Sequence, residues 1–168
     1  LLSNRLTLVL GGARSGKSRY AERLVTEAPA PWVYIATAEA FDDEMRARIA
    51  AHKAERPAGW ITVETPVDLA GALDGAGGAP VLVDCLTLWL SNVMLRDETA
   101  AGAALLDALP RRPAPTVLVS NEVGWGIVPD NALARRFRDE AGVLHQRIAA
   151  LADRVVLMVA GLPLVVKG

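Results

Sequence analysis

An α/β fold, with a mostly parallel sheet covered by helices on both faces, is what this sequence predicts. Three observations carry that expectation. Strand-like and helix-like segments alternate along the 168 residues. The strand segments are short, nearly continuous apolar runs, as expected where both faces of a strand are buried. The first of them runs straight into a glycine-rich turn and then a helix, which is how a βα unit opens.

The elements follow in order. Leu6-Thr7-Leu8-Val9-Leu10 is the first strand, and Arg19 to Val25 reads as the first helix. Trp32 to Ile35 is a second strand, ending in Ala36-Thr37, and Asp42 to Glu55 has helical composition. Trp60 to Glu64 is a shorter third strand, Leu69 to Leu73 a short helix, and Gly75 to Gly78 a flexible stretch. Pro80 to Asp84 is the fourth strand, followed by a helix over Leu86 to Leu95 and another over Ala100 to Leu109. Pro110, Pro113 and Pro115 mark a rigid linker before the strand Thr116 to Ser120. Gly124, Gly126 and Pro129 make a loop, and a long helix runs from Leu133 to about Ala152. Leu133, Phe137, Ala141, Leu144, Ile148 and Leu151 recur at helical spacing and are expected to face the core. Arg154 to Val159 is a strand, and Ala160-Gly161 turns it into a last strand at Pro163 to Val166, a C-terminal antiparallel hairpin.

Size and composition narrow the field. The length suits one domain, residues 1–168, with a substantial core. At 52% hydrophobic and 22% charged the chain is globular, and a net charge of −1 argues against nucleic acid or anionic lipid as a partner. Cys85 is the only cysteine, so no intrachain disulfide is expected and a reducing, cytoplasmic setting is the natural one. No apolar run is long enough to span a bilayer, and no secretory leader opens the sequence.

The sharpest motif is Gly11-Gly12-Ala13-Arg14-Ser15-Gly16-Lys17-Ser18, which fits G-x-x-x-x-G-K-[ST] in the strand–loop–helix setting that a phosphate-binding loop needs. Glycines let backbone N–H groups curl around phosphate oxygens, and the helix N-terminus adds unpaired donors and partial positive charge. In such a loop Lys17 reaches the β- and γ-phosphates and Ser18 holds Mg²⁺. In an open parallel sheet the partners of this loop lie at the carboxyl ends of the strands.

Asp84 ends the fourth strand. It suits Mg²⁺ or its water shell, which a Walker-type site requires, but it also sits where the helix near Leu86 needs a cap, with Thr87 a competitor. Cys85 reads as a small core residue. His52 falls on the apolar stripe of its helix with Met45 and Ile49, where a buried structural histidine is the simplest reading. Lys53 and Arg56 beside it suit a phosphate, and a neutral nucleophilic imidazole exists near pH 7. His145 lacks such neighbours and is expected to face solvent. Trp125, between Gly124 and Gly126, is either a wall for a bulky ligand or an ordinary loop anchor. Arg135, Arg136 and Arg138 read as the wet face of the long helix. An Asn-Lys-x-Asp signature and an Asp-x-x-Gly after Asp84 are both missing, so a switch GTPase fits poorly.

Four stretches carry a resemblance: LGGARSGKSRYAE, YIATAEAFDDEMRARIAAHKAERPAGWITVE, LVDCLTLWLSN and SNEVGWGIVPDNALARRFRDEAGVLHQRIAALADRVVLMVAG. Together they resemble the bifunctional adenosylcobinamide kinase/adenosylcobinamide-phosphate guanylyltransferases of cobalamin biosynthesis, from about Arg5 to Lys167. The resemblance implies a RecA-like P-loop fold, a homotrimer, and two reactions. ATP or GTP phosphorylates adenosylcobinamide. GMP then passes from GTP to the new phosphate through a guanylylated histidine, giving adenosylcobinamide-GDP and pyrophosphate. His52 occupies the histidine position, and Ala51 stands where some relatives carry a second histidine. The family's nucleotide-binding positions fall on Gly11 to Ser18, on Ala36 and Thr37, on Lys53, Ala54, Glu55 and Arg56, and on Glu64 and Asp84. Where Asp84 stands, some relatives have Glu. Competing readings are a P-loop regulator, which would need Lys17 and Asp84 but not His52, and a simple small-molecule kinase without guanylyl transfer.

Overall fold

The computed structural model describes residues 5–39, 43–54 and 56–168, apart from the side chains of Glu44, Met45, Arg48, His52 and Lys53. Its elements run β1 (Leu6–Gly11), α1 (Lys17–Thr26), β2 (Trp32–Ala36), α2 (Asp43–Ala54), β3 (Trp60–Glu64), α3 (Leu69–Gly75) and β4 (Val81–Asp84). They continue with α4 (Leu86–Leu95), α5 (Ala101–Ala108), β5 (Thr116–Asn121), α6 (Ala132–Leu151), β6 (Arg154–Val159) and β7 (Leu162–Lys167). The strands form one sheet in the order β3-β2-β4-β5-β1-β6-β7, parallel throughout except for the antiparallel β6–β7 pair. The expected α/β class and the C-terminal hairpin are both present.

Strand alternation sorts the core into two layers. On one face Val9, Tyr34, Leu82, Val117, Val119 and Val156 pack against Tyr20, Ala21, Leu24 and Val25 of α1. On the other, Leu8, Val33, Ile35, Val81, Val83 and Leu118 meet side chains of α3 to α6, among them Leu69, Trp89, Leu105 and Ile148. Capping follows local chemistry: Asp68 accepts from Gly71 N at the start of α3, and Asn131 from Ala134 N at the start of α6. Arg112, 5% exposed, donates to the carbonyls of Leu73, Gly77 and Ala79, which ties the end of α3 to the turn before β5.

The stripe on α6 differs from expectation at both ends and in the middle. Ala141, Leu144 and Ile148 are buried and Phe137 packs against the core, but Leu133 and Leu151 are exposed. At 100° per residue both leucines lie about 80° from Ala141, at the margin of the buried arc. His145 lies only about 40° from Ala141 on the same helix. It is buried rather than solvent-facing, and its Nε2 lies 2.7 Å from Ser120 Oγ at the end of β5. Burial holds its pKa below the ordinary histidine value, partly opposed by Glu122. The unfolded chain therefore binds this proton more readily, so His145 lowers stability as pH falls below about 6.5. His145→Gln is expected to flatten the fall in Tm between pH 7.5 and 5.5. An unchanged slope would assign that acid sensitivity elsewhere.

Candidate nucleotide-phosphate site

The sheet order places the glycine loop inside the carboxyl edge and not at an end of it, because β1 lies between β5 and β6 and β4 is next beyond β5. The loop is compact. Ser15 N donates to Gly12 O, and Arg14 and Gly16 both take positive φ, 55° and 90°. Such a turn points successive N–H groups to one side. Gly16 caps α1, and a Cβ there would sit 3.3 Å from Gly161 Cα besides requiring the left-handed backbone. A Cβ on Gly11 would meet Ser15 Oγ at 2.5 Å and Met158 at 3.1 Å. The β6–β7 turn backs the loop directly: Gly161 N donates to Ser15 O at 3.0 Å. Lys17, the first residue of α1, folds across the loop and donates from Nζ to Gly12 O at 3.0 Å. Ser18 follows it, half-buried.

Asp84 ends β4 level with Ala36 of β2 and Val119 of β5. It does not cap α4: Cys85 holds that position without a side-chain cap, and Thr87 is buried, accepting from Asn121 Nδ2 at 2.9 Å. Asp84 Oδ2 instead accepts from the Tyr34 hydroxyl at 2.9 Å. Burial foremost, then the Asp84 charge, raises the Tyr34 phenol far above its usual range, so it stays a donor. Cys85 is 4% exposed, with its thiol pushed up by the same two causes, and is a core residue as expected.

Thr37 is locked beneath this edge. Its hydroxyl donates to Cys85 O at 2.7 Å and accepts from Cys85 N at 2.9 Å, while Asn92 Nδ2 donates to Thr37 O at 2.8 Å. Glu64, exposed at the end of β3, pairs in register with Ala36. Arg56 donates to Thr62 Oγ1 at 3.0 Å and lies over the Tyr34 ring. Ala54 closes α2. Glu55 and the side chains of His52 and Lys53 lie outside the described residues; the α2 backbone that carries His52 is helical as expected.

The loop after β5 starts on the glycine loop itself. Asn121 pairs in register with Gly11, and Glu122 N donates to Gly11 O at 3.0 Å. Farther out, Trp125 is 77% exposed and Ile127 98%. Trp125 therefore does not anchor the loop to the rest of the fold. Tyr34 and Asn92, bonded to Asp84 and Thr37 at this edge, are residues that sequence reasoning did not single out. Both lie inside the stretches that carry the resemblance, Tyr34 as the first residue of the second and Asn92 as the last of the third.

Fold and loop together define an α/β protein of the P-loop class, with its glycine loop at the carboxyl ends of the parallel strands. Among solved structures, the assembled ATPase EscN of the enteropathogenic E. coli type III secretion system superposes with a TM-score of 0.61 at 12% identity. A prototypical type III secretion ATPase gives 0.56 at 13%. This chain spans 43% and 50% of those two chains, and the likeness is one of fold.

Residues 7–166 match the family model for cobinamide kinase / cobinamide phosphate guanyltransferase, and the chain belongs to that family. It is 53% identical over 167 residues to the bifunctional adenosylcobalamin biosynthesis protein CobP of Pseudomonas aeruginosa, covering 96% of each. It is 45% identical over 181 residues to the bifunctional adenosylcobalamin biosynthesis protein CobU of Salmonella typhimurium, covering 96% of this chain and 99% of that one. The protein is thus a bifunctional enzyme, a kinase for cobinamide and a guanylyltransferase for cobinamide phosphate. No helix among the described residues is long and apolar enough to cross a membrane.

Proposed function

We propose that both reactions use one phosphate cradle, the loop Gly11 to Ser18, with His52 as the group that carries GMP. The observation that supports this most is the loop's geometry: its donors and Lys17 stand at the carboxyl end of an interior strand, with Asp84 two strands away. In the kinase step the loop and Lys17 hold the triphosphate while the substrate hydroxyl attacks the γ-phosphorus: its O–P bond forms as the Pγ–O bond to the nucleoside diphosphate breaks, and the hydroxyl proton is released to solvent. In the second reaction neutral His52 attacks the α-phosphorus of GTP. The N–P bond forms as the Pα–O bond to pyrophosphate breaks. An oxygen of adenosylcobinamide phosphate then attacks the same phosphorus, and the N–P electron pair returns to the imidazole. Dividing the transfer in two avoids bringing both anions together at once.

The donor set fits Mg²⁺: a hydroxyl from Ser18 and a carboxylate from Asp84 are hard oxygen ligands, suited to an ion that keeps several waters. Bound there, Mg²⁺ would neutralise charge on the phosphates. Ala36, Thr37, Lys53, Ala54, Glu55 and Arg56 complete the nucleotide site, and Glu64 accepts from the N1 and N2 donors of guanine. ATP or GTP serves the kinase step. The chain acts as a single domain, assembled as a cytoplasmic homotrimer.

The test is incubation with GTP labelled on the α-phosphate. The intact protein is expected to gain an acid-labile, base-stable label, and an active, folded protein that takes none would sink the nucleotidyl-transfer reading. Glu64→Gln is expected to weaken GTP binding about tenfold, with little change for ATP, because a charged acceptor is lost from one base only. Equal losses for both nucleotides, measured by calorimetry, would remove Glu64 from base selection.

A further inference from the structure

We infer that Tyr34 is a positioning residue that holds the metal-facing carboxylate and the GMP-carrying helix in one alignment. The inference rests on the reading above, in which Asp84 faces Mg²⁺ and His52 takes GMP.

Tyr34 sits in β2 with its side chain in the layer under α1, and it is 7% exposed. Its two ends meet two different parts of the site. The hydroxyl donates to Asp84 Oδ2 at 2.9 Å, across the β2–β4 pair. The ring face carries the Arg56 guanidinium, whose central carbon is 3.3 Å from the ring centroid. Arg56 follows the end of α2 at Ala54 by two residues and His52 by four. Its second contact is Thr62 Oγ1 on β3, and its Nε is buried without a hydrogen-bond partner among the described residues. Trp60 stands edge-on to the Tyr34 ring at 6.0 Å and tilts against Trp32 at 5.5 Å, which fixes the ring from the side.

A core position asks only for an aromatic body, and phenylalanine would fill it. The hydroxyl and the cation on the ring face have separate consequences. Holding Oδ2 of Asp84 fixes the direction in which Oδ1 points, as outer partners orient ligands elsewhere. Seating Arg56 on the ring fixes where the chain leaves α2, through a contact that strengthens as water is excluded. One buried side chain therefore sets the position of the metal carboxylate relative to the helix that carries His52.

The two ends can be cut separately. Tyr34→Phe deletes the hydroxyl and keeps the ring, Tyr34→Leu deletes both, and Arg56→Gln removes the cation while leaving Tyr34. Three quantities are measured on each intact protein: Mn²⁺ affinity in complex with a nonhydrolysable GTP analogue, the rate of GMP labelling at saturating Mg²⁺, and Tm. Tyr34→Phe is expected to weaken Mn²⁺ binding about tenfold, the scale of a hydrogen bond to a charged group, with labelling at saturating metal unchanged. Arg56→Gln, read at saturating GTP because Arg56 also belongs to the proposed nucleotide site, is expected to slow labelling, and Tyr34→Leu to show both defects. Wild-type Mn²⁺ affinity in Tyr34→Phe, or labelling in Arg56→Gln as fast as in wild type, overturns the inference. So does a fall in Tm that both activities merely follow. Should Tyr34→Leu not fold, the other two variants still decide it. Failure of the wild-type protein itself to label strikes the guanylyl-transfer reading, and the Mn²⁺ arm then tests the Tyr34–Asp84 link alone.

Discussion

His52→Ala is expected to give a folded protein that takes no GMP label and still phosphorylates cobinamide. Alanine favours a helix more than histidine does, so α2 should persist through residues 43–54. Deleting a nucleophile removes the covalent route itself, so guanylyl transfer should fall by about three orders of magnitude or more. No other histidine can replace it. His145, the only other one, is 8% exposed and engaged with Ser120 beneath the sheet edge, and burial leaves it a weaker base than a free imidazole. The kinase step should survive because attack at the γ-phosphorus needs the loop, Lys17 and the bound nucleotide, none of which α2's histidine supplies. The measurement is paired: acid-labile label from α-labelled GTP, and cobinamide phosphate formed from γ-labelled nucleotide. Label retained by His52→Ala would assign the nucleophile elsewhere. Loss of both products at unchanged Tm would mean that His52 also serves the first reaction.

The glycine loop was legible because its chemistry is local: eight consecutive residues between a strand and a helix specify their own backbone. The strands were legible for a similar reason, since burial on both faces writes a continuous apolar run. Helix faces were read less well, and α6 shows why. Spacing gives an angle around the helix but not the width of the arc that the sheet covers. Leu133 and Leu151 fall just outside that arc, while the polar His145 falls inside it with Ser120 as partner. His145 follows the buried Leu144 and stands four residues after Ala141, so weighing position above polarity would have found it. Tyr34 was beyond reach on local grounds. Its tie to Asp84 spans fifty positions and exists because β2 lies beside β4 while β3 lies outside. Chain order does not reveal that neighbourhood, and nothing in Trp32 to Ile35 distinguishes a structural tyrosine from a positioning one.

Lys17→Met is expected to disable both reactions at once, each by about 10²–10³-fold in kcat, with a much smaller change in nucleotide affinity. Methionine keeps an unbranched side chain and good helix propensity at the first position of α1. Lys17 is only half-buried, and its hydrogen bond to Gly12 O is exposed, so stability should stay within about 0.5 kcal/mol. What is lost is a positive charge placed where negative charge builds: on the transferring γ-phosphoryl group in one reaction, on departing pyrophosphate in the other. These are different atoms of the same triphosphate, and a single ammonium crossing the loop between Gly12 and α1 is placed to meet both. The outcome therefore decides whether one cradle serves two cleavages. Kinase activity lost with GMP labelling intact would require a second triphosphate site. Loss of both in Lys17→Met, beside loss of labelling alone in His52→Ala, would show that γ- and α-phosphorus are attacked in one nucleotide pocket by two different nucleophiles. A nucleotide-driven regulator would respond to Lys17→Met but not to His52→Ala, so the same pair of variants separates an enzyme from a switch.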